Sequence, residues 1–140
     1  MPERARLGGG CLCGGVRFEL SEPPSEAYYC HCTRCQGRTG GGSSAQARID
    51  GATFRLVEGE SLVQCWRHPD GGFAKCFCRD CGAHLFSRNP DDPSQVSVRM
   101  AAFDGDPGVR PSARVFTGYA PIWEPLPDDG LQRFPEGKRW

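Results

Sequence analysis

The stretch from Phe77 to Gly82, Phe-Cys-Arg-Asp-Cys-Gly, holds two cysteines three residues apart and ends on a glycine. A C-x-x-C turn brings two sulfurs to one metal ion, and the glycine permits the tight backbone that such a turn needs. A second, distant pair is also followed directly by a glycine, Gly14. Because structural zinc prefers four tetrahedral thiolates, we predict that the two pairs share one zinc ion, which joins the N-terminal strand to a hairpin. The four predicted ligands are Cys11, Cys13, Cys78 and Cys81.

A further group of cysteines lies in the six residues Cys-His-Cys-Thr-Arg-Cys. Cys30, Cys32 and Cys35 supply three sulfurs, whereas a closed structural zinc site uses four protein ligands. Catalytic zinc sites keep three protein ligands and leave one position open. If the C-x-C step is extended, the ring of His31 faces away from both flanking sulfurs, so we predict that it packs rather than binds metal. The group therefore predicts a second, open zinc site.

Two cysteines remain outside these groups, Cys65 and Cys76. Cys65 lies in an apolar segment and is predicted to be a buried thiol. Cys76 repeats the spacing C-x-C-x-x-C together with Cys78 and Cys81, which allows an alternative three-cysteine site. That grouping would leave the N-terminal pair without partners, so we predict that Cys76 binds no metal.

The charges of the chain are balanced and interspersed, with 17 basic and 17 acidic residues. A nucleic-acid or anionic-membrane surface normally shows a basic stripe, so we expect neither partner. No apolar run approaches the roughly 20 residues that span a bilayer. The start, MPERARLGGG, has no hydrophobic segment, so we expect no signal peptide and a cytoplasmic location. In that compartment clustered cysteines hold metal more often than they form disulfides.

Short alternating segments, separated by turn residues, predict a mainly β fold of about eight strands. The chain has 19 glycines and 12 prolines, and no helix longer than a turn or two is predicted before the tail. The segment His-Pro-Asp-Gly-Gly predicts a hairpin turn. With 140 residues and no linker, residues 1–140 are expected to form one domain. The predicted strands include Val16–Leu20, Phe54–Gly59, Ser61–Trp66, Phe73–Phe77, His84–Ser87, Gln95–Met100 and Ala113–Phe116.

Four blocks of the sequence, in order, resemble the glutathione-dependent formaldehyde-activating enzyme family, which also contains the centromere protein V domain. The blocks are GGCLCGGVRFEL, YYCHCTRCQGRTGG, KCFCRDCGAHLFS and GYAPIWEPLPDDGLQRF, and the match runs from about Gly9 to about Phe134. The resemblance implies a β-tent of small antiparallel sheets around two zinc sites. It also implies the same division of ligands that the spacing predicts: four cysteines for structural zinc and Cys30, Cys32 and Cys35 for catalytic zinc.

The resemblance also implies a carbon–sulfur lyase that adds glutathione to formaldehyde, as S-(hydroxymethyl)glutathione synthase does. Zinc with three thiolates can bind and deprotonate a fourth thiol, which then attacks an aldehyde without a redox cofactor. No GxGxxG segment or P-loop is present in the sequence. For anionic glutathione, the glycine-rich segment after Cys35 offers Arg38 and backbone N–H groups around Gly40. The alternative is that this segment is simply a flexible turn.

Two classes of function therefore stay open on the sequence. The first is an enzyme with two zinc ions that acts on a small-molecule thiol, such as glutathione, and an aldehyde. The second is a non-catalytic zinc-binding interaction module in which both metals are structural. An exogenous thiol or water as the fourth ligand of the three-cysteine site favours the enzyme, and a protein side chain favours the module.

Overall fold

The computed structural model describes residues 7–140 and shows a mainly β protein, as predicted. The first six residues, part of the segment from which we expect no signal peptide, lie outside the described residues. The strands are β1 (Leu7–Gly10), β2 (Arg17–Leu20), β3 (Glu26–Cys30), β4 (Ser44–Asp50), β5 (Phe54–Glu58), β6 (Val63–Trp66), β7 (Ala74–Cys78), β8 (His84–Asn89), β9 (Asp92–Arg99), β10 (Pro111–Val115) and β11 (Gln132–Phe134). In residues 7–140 the α-helix is α1 (Thr33–Thr39), and short 3₁₀ turns span Gly51–Thr53, Glu60–Leu62, Met100–Ala102 and Thr117–Tyr119.

The strands of residues 7–140 form two sheets. One has three strands in the order β1-β2-β5, and the other has eight in the order β11-β10-β3-β4-β9-β8-β7-β6. Neighbouring strands run antiparallel except around β10, which is parallel to both β3 and β11. Within residues 7–140, no helix has the length and apolar character needed to cross a membrane.

The main core lies between the two sheets and is built largely from one face of each. Phe18 of β2 stacks on Phe54 of β5 with ring centroids 5.4 Å apart, and Phe54 meets Phe86 of β8 at 4.8 Å. Side chains alternate between the two faces along the strands of the large sheet, so that Val96 and Val98 of β9 face this core. The opposite face of β9 and its neighbours carries polar side chains, and this face borders the cavity described below.

A short hairpin made of β6 and β7 forms one end of the large sheet, with its turn at the predicted His-Pro-Asp-Gly-Gly segment. Cys65 of β6 lies directly opposite Cys76 of β7, and the two form a disulfide. The prediction of a free, buried Cys65 thiol is therefore wrong, because Cys65 is bonded and exposed, whereas Cys76 belongs to neither group of candidate metal ligands. The cause is the strand register, because directly opposed side chains of an antiparallel pair lie close enough to bond.

Helix α1 spans two turns, which agrees with the prediction of no helix longer than a turn or two before the tail. The sulfur of Cys32 caps its first turn by accepting a hydrogen bond from the Cys35 N–H at 3.3 Å. Gly40 ends the helix in the left-handed conformation, with φ 75°, which glycine adopts without strain. These caps place Cys32 and Cys35 one turn apart, next to the end of β3 at Cys30.

Candidate metal centres and the adjoining cavity

The first group of thiols joins the two sheets. Its ligand atoms, the sulfurs of Cys11, Cys13, Cys78 and Cys81, all lie within 4.8 Å of one another. Cys11 and Cys13 belong to the turn between β1 and β2, and the other pair comes from the end of β7 and the turn that follows. The group therefore links the three-stranded sheet to the eight-stranded sheet.

The donor set fits a zinc ion. Tetrahedral zinc with Zn–S bonds of about 2.3 Å separates its sulfurs by about 3.8 Å. The Cys13 sulfur lies 3.5 Å from that of Cys11 and 3.9 Å from that of Cys78. Gly14 and Gly82, the glycines after each pair, both have positive φ values, 80° and 76°, as the tight turns require.

The second group consists of Cys30, Cys32 and Cys35, whose sulfurs also lie within 4.8 Å of one another. Among the described residues, no fourth cysteine, histidine, aspartate or glutamate joins these three sulfurs. Three thiolates suit zinc with one remaining position, so the donor chemistry fits a metal here as well. The structure thus gathers the seven thiols into the two groups that the spacing predicts, and both groups can hold a metal ion.

Cys35 is the most acidic thiol of the second group. Hydrogen bonds from Cys30 and Cys32 lower the pKa of Cys35 to about 2, and the Ser44 hydroxyl adds a further bond. In turn, the pKa of Cys30 is raised, because its proton is held by the neighbouring sulfurs of Cys32 and Cys35. A group that shares its protons in this way binds a divalent cation by releasing them.

A buried polar network supports the Cys35 sulfur from β4 and β9. Ser44 donates a hydrogen bond to the sulfur at 3.1 Å, and the amide of Gln46 lies 3.7 Å from it. Gln46 also donates to Ser44 at 2.7 Å and accepts from the Ser97 hydroxyl at 2.9 Å. The guanidinium of Arg99 is buried beside this network, and its positive charge contributes to the low pKa of Cys35.

His31 turns away from the thiols, as the alternation of the C-x-C step predicts. Its ring is buried, and Nε2 lies 3.2 Å from a guanidinium nitrogen of Arg114 on β10. Arg114 in turn donates to the carboxylate of Asp129 at 2.7 Å. Burial, followed by the charge of Arg114, lowers the pKa of His31. His31 therefore anchors the end of β3 to β10 and the segment beyond it.

A cavity of about 590 Å³ opens directly over the three-thiol group. Such a volume lies within the range of about 300 to 1,000 Å³ that is typical of small-molecule sites. Cys30, Cys32 and Cys35 line it, whereas none of the four thiols of the first group does. Its other walls are aromatic and polar, and include Tyr28, Arg34, Gln46, Arg48, Phe73, Lys75, Ser97, Phe116, Tyr119, Lys138 and Trp140.

The end of the chain forms one wall of this cavity. Arg48 donates hydrogen bonds to the carbonyl oxygens of Lys138 and Arg139, and its guanidinium lies 4.6 Å from the ring of Trp140. Trp140 also contacts Phe73, which likewise lines the cavity, with ring centroids 5.5 Å apart. Arg48 therefore holds the last residues of the chain against the large sheet.

The two residues predicted to contact glutathione, Arg38 and Gly40, do not line the cavity. Gly40 ends α1, as described above. Arg38 is half-buried, and burial lowers its pKa, as does the charge of Arg99, whereas Cys35 raises it. Its guanidinium thus acts electrostatically on the Cys35 thiolate from outside the cavity.

Sequence reasoning missed the polar side chains that surround the thiols, Ser44, Gln46, Arg99 and Lys75. A signal was present, because polar and apolar residues alternate in Ser-Ala-Gln-Ala-Arg-Ile, from Ser44 to Ile49. Such alternation usually marks a strand with one solvated face. Here both faces of β4 are buried, since the polar face lies beneath the cavity and the end of the chain.

The fold and the two thiol groups define a mainly β protein with two cysteine centres suited to metal. The family model for the glutathione-dependent formaldehyde-activating enzyme matches residues 6–119. The chain therefore belongs to the glutathione-dependent formaldehyde-activating enzyme family. Among solved structures, the crystal structure of a Rhodobacter sphaeroides protein is similar, with a TM-score of 0.60 and 25% sequence identity. That match covers 70% of this chain and 88% of the other.

Proposed function

We propose that the protein is a zinc-dependent enzyme of the carbon–sulfur lyase type, which adds a thiol such as glutathione to formaldehyde or a related small aldehyde. The observation that carries the proposal is the contrast between the two thiol groups. The four-thiol group has a complete donor set away from the cavity, whereas the three-thiol group has no fourth donor among the described residues and lines the cavity. A small molecule in the cavity can therefore reach the three-thiol group.

Cys30, Cys32 and Cys35 are the proposed ligands of the catalytic zinc, and Cys11, Cys13, Cys78 and Cys81 those of the structural zinc. Zinc at the three-cysteine site would lower the pKa of a bound thiol and keep it as a nucleophilic thiolate at neutral pH. The hydrogen bonds from Ser44 and Gln46 orient Cys35 and offset part of the negative charge of its thiolate.

In the proposed reaction, the thiol sulfur attacks the carbonyl carbon of the aldehyde. One carbon–sulfur bond forms, the carbon–oxygen double bond becomes single, and the proton lost by the thiol returns to the oxygen as a hydroxyl. The product of glutathione and formaldehyde is S-(hydroxymethyl)glutathione, and no oxidant or reductant is consumed. Aromatic walls, among them Tyr28, Phe116 and Trp140, limit the water around the reacting atoms.

Glutathione as the co-substrate rests on the family of this chain and on the charge of the cavity. Apart from the three thiols, the charged residues that line the cavity in the described part of the chain are Arg34, Arg48, Lys75 and Lys138, all of them cationic. This suits an anionic molecule better than a cationic one. Arg38 and Gly40 remain a sequence-based prediction for the glutathione contacts.

The test is catalysis of the exchange between free formaldehyde and S-(hydroxymethyl)glutathione, measured by magnetisation-transfer NMR with ¹³C-formaldehyde. The zinc-loaded protein is expected to raise the exchange rate above the uncatalysed rate. Cys35→Ser is expected to lose this activity and one zinc ion per chain while it keeps its circular dichroism spectrum. The control, Cys65→Ala with Cys76→Ala, removes the two cysteines outside both groups and should retain two zinc ions. Full activity of Cys35→Ser, or no catalysis by the wild type, would contradict the proposal.

A further inference from the structure

The cations that line the cavity differ in whether they already have a partner. The Arg34 guanidinium donates a hydrogen bond of 2.6 Å to the carbonyl oxygen of Gly71. The Lys138 ammonium forms an ion pair with Glu26 at 2.6 Å. Both groups are thus engaged by the protein itself and have reduced capacity for a ligand.

Arg48 is engaged as well. It donates to two carbonyl oxygens near the end of the chain, and its guanidinium lies between the rings of Tyr28, at 5.0 Å, and Trp140, at 4.6 Å. The carboxylate of Glu26 is 3.9 Å from it. Its role is to hold the wall of the cavity in place.

Lys75 is different, because within residues 7–140 its ammonium makes no hydrogen bond and no ion pair with a carboxylate. Its nitrogen lies 5.8 Å from the ring centroid of Phe73. Burial lowers the pKa of Lys75, as does the charge of Arg99, and the thiolates of Cys35 and Cys32 only oppose these effects. A partly desolvated ammonium that no carboxylate contacts is unfavourable, and a carboxylate placed beside it reduces that penalty.

The position of Lys75 in the sheet directs it toward the site. In the register of β7 and β8, Lys75 lies opposite Ser87, and both residues line the cavity. Its neighbour along β7, Cys76, faces the core instead. Strand alternation therefore places the free ammonium on the same face of the sheet as the polar network around Cys35.

We propose that Lys75 is a specificity-determining residue that binds a carboxylate of the thiol co-substrate while the thiol sulfur reaches the three-thiol group. This inference rests on the proposed function, which places the sulfur of the thiol co-substrate at the three-thiol group. The inference adds the residue that binds a carboxylate of the same molecule. It selects thiols that carry a carboxylate away from the sulfur over neutral or esterified thiols of the same size. Lys75 alone provides this selection for a negatively charged ligand, since the other cations of the cavity are already bound to groups of the protein.

The experiment compares glutathione with its diethyl ester, in which both carboxylates are converted to neutral esters. Their dissociation constants are measured by calorimetry with the zinc-loaded full chain and without aldehyde. Lys75→Met is expected to weaken the binding of glutathione about 10- to 100-fold, the usual effect of losing a hydrogen bond between charged groups, and to leave the ester unchanged. Lys75→Arg keeps the charge and should retain the preference for glutathione.

Arg88→Met is the matched control, because Arg88 is an exposed cation of the neighbouring strand β8 that does not line the cavity. It should bind both ligands as the wild type does. Equal weakening of glutathione and the ester in Lys75→Met would overturn the inference, since Lys75 would then act through the charge of the thiol group. Unchanged glutathione binding in Lys75→Met, or no preference for glutathione in the wild type, would overturn it as well.

The binding measurement separates this inference from the proposed reaction. If glutathione binds in a Lys75-dependent manner but the exchange with formaldehyde is not accelerated, the inference stands and the proposed reaction fails. If the exchange is accelerated but Lys75→Met affects neither ligand, the reaction stands and the role of Lys75 fails. Loss of zinc from Lys75→Met, together with weaker binding of both ligands, also contradicts the inference.

Discussion

Ser44 is the residue that most directly supports the acidic thiol of the three-cysteine group. Its hydroxyl donates to the Cys35 sulfur at 3.1 Å and is itself held by the Gln46 amide. Such outer partners fix the orientation of a metal ligand and stabilise its charged form, although they do not touch the metal. The chemistry of Cys35 therefore depends on a side chain from a different strand.

We predict that Ser44→Ala lowers the zinc affinity of the three-cysteine group about 10- to 100-fold, the usual effect of losing an outer partner of a metal ligand. The four-cysteine group should keep its metal, since Ser44 has no contact with it. Competition for zinc with a chromophoric chelator measures both affinities. Ser43→Ala is the control, because the adjacent Ser43 makes no side-chain hydrogen bond to a described cysteine. Equal affinities in the two variants would contradict this role of Ser44.

At the residue scale, the sequence was sufficient to group the cysteines but not to find their partners. Spacing and the following glycines are local, so Cys11, Cys13, Cys78 and Cys81 could be assigned together before any fold was known. The free ammonium of Lys75 could not be predicted. It depends on which cations of other elements have found partners, and such pairing is set by tertiary structure.

Among the elements, the hairpin of β6 and β7 is the one that the disulfide affects most. In the large sheet β6 is the last strand, and β7 is its sole neighbour in the strand order of the described residues. The Cys65–Cys76 bond closes a loop of 11 residues in sequence separation. The same hairpin carries Gly72, Phe73 and Lys75 into the wall of the cavity.

We predict that Cys65→Ala with Cys76→Ala lowers the free energy of unfolding by about 3 kcal/mol, as expected for the loss of a cross-link over a loop of this length. Urea unfolding of the zinc-loaded proteins measures the change. Reduction of the wild type with a phosphine, which does not compete for zinc as a dithiol does, should produce a similar loss. A double variant as stable as the untreated wild type would show that the bond adds nothing to the hairpin.

Prediction of the elements was best where the alternation is strong and the turn residues are clear, as in β2 and β5. It missed β4, in which Ile49 is the one β-branched residue and which becomes a strand because β3 and β9 pair with it on both sides. The disulfide was missed for a related reason. Two cysteines can be recognised as opposed only when the register between their strands is known.

On the scale of the whole molecule, the two thiol groups lie in different parts of the fold and connect different elements. The four-cysteine group ties the turn after β1 to the turn after β7, and so connects the two sheets. The three-cysteine group belongs to a smaller cluster of buried residues that includes Tyr28, Ala113 and Val115. A metal ion in the four-cysteine group is expected to stabilise the fold, whereas a metal ion in the three-cysteine group is expected to take part in the reaction.

We predict that Cys81→Ser lowers the midpoint of thermal unfolding far more than Cys35→Ser does, since the first variant loses the link between the sheets. Circular dichroism follows the unfolding, and mass spectrometry counts the zinc ions that each variant retains. Each variant should lack one zinc ion. The reverse order of stabilities would mean that the three-cysteine group, and not the four-cysteine group, holds the fold together.

The central claim is that the three-cysteine group accepts the sulfur of a thiol from solution. Zinc X-ray absorption spectroscopy on the fully loaded protein tests it directly, with glutathione and with S-methylglutathione, whose sulfur is blocked. We predict that glutathione adds one sulfur ligand per chain, at a zinc–sulfur distance of about 2.3 Å, in place of a lighter ligand atom. S-methylglutathione is expected to add none. A sulfur shell that glutathione leaves unchanged would contradict the account.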